Sequence, residues 1–100
     1  MKVITICGSL KFANEMVDAA YRLEFQGNCV ITPIISNRKN SFTDDELEKL
    51  ALAHECKIDL SDAIYVMDVG GYVGKSTQRE IDYAKKQGKE VFYHEPTLDK

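Results

Sequence analysis

Three stretches carry side chains whose types and spacing could do chemistry. The first is Gly8-Ser9-Leu10-Lys11, a small-residue turn followed by a cation, preceded by the thiol of Cys7. The second is GGYVGKST, residues 70–77, which offers glycines, a lysine and two hydroxyls in the manner of a phosphate-cradling loop. The third is a pair of carboxylates that bracket that loop, Asp68 before it and Glu80 after it. Carboxylates so placed can act as acid, base or nucleophile. The phosphate-loop reading fails on spacing. The nucleotide-binding pattern is G-x-x-x-x-G-K-[ST], and Gly74-Lys75-Ser76 supplies its second half, but position 69 is Val and Gly70 leaves one residue too few between the glycines. The pattern therefore argues against an ATPase or GTPase, and Lys75 reads as a solvated lysine.

The elements that must position these residues follow from periodicity. Residues 2–7, KVITIC, are an apolar, β-branched run and read as a first strand. Phe12, Met16, Ala19, Ala20 and Leu23 then recur at helical spacing, and Gly27-Asn28 ends that helix. Cys29–Ile31 is a second strand stopped by Pro33, and residues 34–42 show no period and read as a loop. Thr43-Asp44-Asp45-Glu46 has the hydroxyl-then-Glu pattern of a helix start, with Leu47, Leu50, Ala51, His54 and Ile58 as the buried face. AIYVM, residues 63–67, is a third strand; Thr77–Gln87 is a helix with Ser76 or Thr77 as N-cap; Glu90–Tyr93 is a fourth strand ahead of a polar tail. Strands alternating with helices predict a three-layer, open parallel α/β sheet of the flavodoxin- or Rossmann-like kind, with strand order 2-1-3-4. Ligands of such sheets bind beyond the carboxyl ends of the strands where the order reverses. That point lies between strands 1 and 3, and it brings Gly8–Lys11 to the loop 68–76.

Composition narrows the function classes. The chain has 100 residues, which predicts a single domain over 1–100, and its net charge of −3 gives no phosphate-tracking surface for nucleic acid. No apolar run approaches the roughly 20 residues of a membrane helix, so no membrane partner is expected. The three cysteines, Cys7, Cys29 and Cys56, have no paired spacing and read as reduced thiols of a cytoplasmic protein. His54 and His94 lie far from each other and from any paired ligand motif, so neither a metal site nor another cofactor is expected.

ICGSLKF together with SDAIYVMDVGGYVGKSTQREIDYA resembles the nucleoside 2-deoxyribosyltransferase-like superfamily. The CGS turn is most similar to its 2'-deoxynucleoside 5'-phosphate N-hydrolase branch, and the second stretch also resembles small uncharacterised bacterial members. The resemblance implies cleavage or exchange of the N-glycosidic bond of a (deoxy)nucleotide or nucleoside, in a homodimer or larger homo-oligomer, without a cofactor. It puts Glu80 at the position of the catalytic carboxylate, Gly8 and Ser9 in the turn that holds sugar or 5'-phosphate, and Lys11 where the N-hydrolases have an arginine. Gly74 and Ser76 stand in swapped order relative to the family's serine and glycine. Counting back from Asp62, the family's second acid falls on His54.

Each role has a plainer reading beside it. Glu80 falls in the first turn of its helix, where the dipole favours the ionised form, and it is either a helix-start acid or the carboxylate that meets an oxocarbenium-like sugar. Asp68 binds sugar hydroxyls or assists protonation of the departing base, or it caps loop amides. Gly8-Ser9 holds a phosphate at a helix start, aided by Lys11 and Ser76, or it is a plain turn. Gly71 and Gly74 let the loop backbone approach a ligand; Tyr72 stacks on a base or simply packs. Cys7 at the turn invites a depressed pKa, against the plainer reading of a small buried hydrophobe. His54 reads as a satisfied core residue, and His94 as a contact for ligand or a partner subunit. Asp62, at the far end of its strand, reads as a turn former. The alternative to an enzyme is a nucleotide- or phosphate-sensing module without turnover.

Overall fold

A computed structural model describes residues 1–35 and 41–95. The reading of a loop over 34–42 and of a polar tail with Pro96 therefore falls partly outside the described residues. The elements are β1 (Val3–Gly8), α1 (Ala13–Phe25), β2 (Cys29–Ile31), α2 (Asp44–Asp59), β3 (Ala63–Met67), α3 (Lys75–Lys86) and β4 (Glu90–Tyr93), with short 3-10 turns at Leu10–Phe12 and Val69–Gly71. All strand pairs are parallel and the order is β2-β1-β3-β4, as the alternation predicts.

The central strands are buried on both faces, which is why they read as unbroken apolar runs; every residue of β3 is buried. Alternation along the strands divides the core. Ile4, Ile6, Tyr65 and Met67 face α1 and pack with Met16, Ala19 and Leu23. Cys7, Ile64 and Val66 face the other way and pack with Ile58 of α2 and with Ile81 and Ala84 of α3. At β1's carboxyl end Gly8 pairs with Met67. A Cβ there would stand 3.0 Å from Met16 Cε and 3.1 Å from both Cβ and the carbonyl oxygen of Met67. Glycine at this turn is thus a condition for seating β1 against β3 and α1.

The helices differ in how they are held. α2 begins with the capping box read from the sequence: the Glu46 amide donates to Thr43 Oγ1 at 3.1 Å and the Thr43 amide to Glu46 Oε1 at 2.9 Å. Its carboxyl end is pinned to β1, because Thr5 Oγ1 and Ser61 Oγ both donate to the Lys57 carbonyl, at 3.1 and 2.8 Å. Lys57 Nζ donates onward to the Thr32 carbonyl at 3.2 Å. The amino half leaves its apolar stripe partly exposed among the described residues. Of the five stripe residues expected to be buried, His54 and Ile58 are, whereas Leu47 and Leu50 remain 50% and 39% exposed. α3 starts at Lys75, two residues earlier than expected, with Gly74 as N-cap and no side-chain capping bond from Ser76 or Thr77. Asp62 has the expected turn role: the Val3 amide donates to its Oδ2 at 2.8 Å. Among the described residues no helix is long and apolar enough to cross a membrane.

Candidate active site

The half-open arrangement of α2 leaves a cavity of about 450 Å³ between its amino half, the segment after β2 and the start of α3. Pro33, Ile34, Phe42, Leu47, Leu50 and Ala51 make its apolar wall, while Gly8, His54, Lys57, Ser76 and Glu80 contribute its polar part. The cavity opens at the carboxyl end of β1, where the reversal of strand order predicts a crevice.

Three side chains from three elements converge at this end. Cys7 points from β1 to the α2–α3 side, where its Sγ lies 3.3 Å from His54 Nε2. The same nitrogen lies 3.5 Å from Glu80 Oε1 of α3. All three atoms fall within 4.8 Å of one another. His54 and Glu80 line the cavity, and Cys7 is fully buried beneath them.

Burial sets the protonation of this group. It raises the Glu80 carboxyl from 4.5 to about 7; contact with the Cys7 thiol works in the opposite direction and the charge of Glu55 adds to the rise. Burial lowers His54 to about 4, helped by the nearby Lys57 ammonium. Burial also pushes the Cys7 thiol well above its ordinary value, followed by the charge of Glu80 and its hydrogen bond. These findings correct two expectations. Glu80 occupies the second turn of α3, not the first, because the helix starts at Lys75; desolvation there outweighs the dipole. The Cys7 thiol is raised, not depressed, since it sits in the core between α2, α3 and the sheet.

The remaining candidates separate cleanly. Gly8 and Ser76 line the cavity with Glu80. Ser9 caps the 3-10 turn, its Oγ accepting from the Lys11 amide at 3.3 Å. Lys11 Nζ stands 3.4 Å over the ring centre of Tyr72, and Phe12 meets that ring edge-on at 6.0 Å. Gly74 lies under the same tyrosine: a Cβ there would come 3.2 Å from Tyr72 Oη. Gly71 holds a positive φ of 84° in the loop. Lys11, Tyr72, Gly71 and Gly74 thus form a rim outside the cavity lining. Asp68 is fully buried and its Oδ1 accepts the Glu95 amide at 2.9 Å, which fixes the chain after β4 rather than facing the cavity. His94 is engaged away from the cavity, its Nδ1 2.7 Å from the hydroxyl of Tyr65, which also accepts from Arg22 at 2.8 Å.

His54 is the residue that sequence reasoning undervalued. Its signal was a single titratable side chain on an otherwise apolar stripe, at the position where a second acid was sought. No protein-family model, curated protein or solved structure matches the chain.

Proposed function

We propose that the chain cleaves or exchanges the N-glycosidic bond of a (deoxy)nucleoside or nucleotide, with Glu80 as the carboxylate that meets the anomeric carbon. The observation that carries this reading is the position of Glu80: half-buried, beside a neutral imidazole, in a cavity with an apolar wall and about 450 Å³ of space. Cavities of such size hold small organic ligands. The wall of Leu47, Leu50 and Phe42 suits the face of a base, while Gly8 and Ser76 lie at the sugar side.

The chemistry needs an ionised carboxylate at the sugar and a proton for the departing base. The 3.5 Å contact lets a proton pass from Glu80 to His54, and the values of about 7 and about 4 make this an uphill step that precedes the chemistry. With the proton on His54, the Glu80 carboxylate bonds to the anomeric carbon as the carbon–nitrogen bond breaks toward the base. The base takes its proton from the imidazolium. Water then attacks the anomeric carbon, His54 accepts the water's proton, and the carboxylate leaves. A second base in place of water gives exchange. His54 thereby takes the place of the missing second acid.

Incubation with deoxynucleoside monophosphates, nucleosides and free bases, followed by chromatography, tests the reading. Base release or exchange that vanishes in Glu80→Gln supports it. Release unchanged in Glu80→Gln removes Glu80 from the role. Thermal stabilisation by a nucleotide with no release from any member of the panel supports the sensing module instead.

A further inference from the structure

Cys7, His54 and Glu80 bring a sulfur, a nitrogen and an oxygen donor to one point, and nothing in carboxylate chemistry at a sugar requires the thiol. The separations have a meaning of their own. A tetrahedral zinc ion with bonds of about 2.3 Å to sulfur and 2.0–2.2 Å to nitrogen and oxygen sets sulfur–nitrogen and nitrogen–oxygen edges of about 3.6 and 3.4 Å. The observed contacts are 3.3 Å for Cys7 Sγ to His54 Nε2 and 3.5 Å for His54 Nε2 to Glu80 Oε1. The third pair is also within 4.8 Å. The donors need little rearrangement to surround one ion.

We propose that Cys7 Sγ, His54 Nε2 and Glu80 Oε1 form a three-ligand site for a divalent cation of the zinc class, with its open position facing the cavity.

Donor chemistry selects that class. A thiolate and an imidazole favour borderline and soft cations over magnesium or calcium, which take oxygen ligands. Charge balance selects the valence: thiolate, carboxylate and neutral imidazole around a +2 ion sum to zero, the state that costs least in a buried site. Three protein ligands with a fourth position left open is the arrangement of catalytic, not structural, zinc. The open side is fixed by the layering, since His54 and Glu80 line the cavity and Cys7 closes the site from below. Rigid elements supply all three ligands, one each from β1, α2 and α3. Binding replaces the thiol proton, and any proton on Glu80, with the ion. The site does not depend on the glycosidic reading. An ion bound there engages the Glu80 carboxylate, so the two uses of that side chain exclude each other.

Cobalt(II) is the probe, because thiolate ligation gives it a near-ultraviolet charge-transfer band. The full chain is used with Cys29→Ser and Cys56→Ser, which removes the two exposed thiols and leaves Cys7. After chelator treatment, one equivalent of cobalt should saturate the band with proton release, and one equivalent of zinc should abolish it. Cys7→Ser should lose the band. His54→Gln and Glu80→Gln should each weaken cobalt affinity by about tenfold or more. Glu80→Gln preserves shape and removes only charge, so it decides the question even if Cys7→Ser does not fold. Absence of a saturable band, or cobalt affinity in Glu80→Gln or His54→Gln unchanged from the parent protein, overturns the site. The titration contains no nucleoside, so its failure leaves the glycosidic reading intact, and failure of base release leaves the metal site intact.

Discussion

Two of the polar groups at the carboxyl end of the sheet are built in opposite ways. On the α2–α3 side, Cys7, His54 and Glu80 come from residues 47 and 26 positions apart in sequence order and meet in a largely buried cluster. On the other side, Lys11, Phe12 and Tyr72 come from two turns, and Lys11 and Tyr72 are exposed and engaged with each other. The rim contains the eye-catching GGYVGKST loop, while the buried cluster has no local motif at all. Motifs report on backbone that must bend or approach something. Chemistry in a small α/β domain depends instead on which side chains the layers press together in low dielectric, where a few ångströms govern protonation.

Activity gives the largest expected separation between the two groups. Glu80→Gln should reduce base release by about 10³-fold or more. Lys11→Ala and Tyr72→Ala should stay within about tenfold of wild type, the scale of one exposed contact. Equal losses on both sides would erase the distinction and make the rim part of the site.

The next effect is on stability, read in chelator-treated protein. The Glu80 carboxyl titrates near 7 in the folded chain against 4.5 as its ordinary value. The folded state therefore holds the proton more tightly. That stabilisation is complete below pH 4.5, declines as pH rises, and is gone above about 7. A shift of this size corresponds to up to about 3 kcal/mol. Urea unfolding should find Glu80→Gln more stable than wild type at pH 8 by up to that amount, with the gap closing below pH 4.5. His54 acts in the opposite sense: its folded value of about 4 lies below the ordinary 6.5, so its contribution is present above 6.5 and lost as pH falls through 4. Both proteins carry His54, whose Nε2 lies 3.5 Å from the Glu80 carboxylate, so their difference reports Glu80 together with its coupling to His54. An alkaline gap near zero would mean that Glu80 is as solvated as the rim.

The same contrast explains what was legible in the sequence. Strand order was readable because a buried parallel strand leaves an unbroken apolar run, as in AIYVM, and because crossovers have one hand. The Thr43–Glu46 capping box was readable because it is local. The exposure of the amino half of α2 was not. Leu47, Leu50 and Ala51 have the spacing of a buried stripe, but among the described residues the bonds that pin the helix to β1 fall at its carboxyl end, to Lys57 from Thr5 and Ser61. The apolar residues of the amino half became a cavity wall. Glu80 was placed on the right helix and misjudged in environment, because an extended Gly74 starts the helix without a side-chain cap. Gly8 was read as part of a turn that holds sugar or phosphate; it lines the cavity, but its lack of a Cβ is also dictated by Met16 and Met67.

Gly8→Ala tests that last point at intermediate magnitude. The new methyl meets the Met67 backbone as well as a movable methionine end, so the strand must shift. A loss of about 1–3 kcal/mol in urea unfolding is expected. Unchanged stability would leave ligand approach as the main reason for glycine, and would move Gly8 fully into the functional group.

The smallest effect bears most directly on the rim. Lys11 Nζ sits 3.4 Å above the Tyr72 ring centre, and Tyr72 is 48% exposed. At such a site a cation–π pair contributes about 0.5–1 kcal/mol. A double-mutant cycle with Lys11→Met and Tyr72→Leu should return a coupling energy in that range by urea unfolding. Methionine keeps most of the aliphatic stem over the ring, so the coupling reports chiefly the charge. If it is present, Lys11 is held by the aromatic ring and is a poor clamp for a 5'-phosphate, which favours a substrate gripped through its base and sugar in the cavity. If the coupling vanishes, the ammonium is free to swing toward an incoming anion. The two polar groups at the end of the sheet would then serve one ligand from two sides.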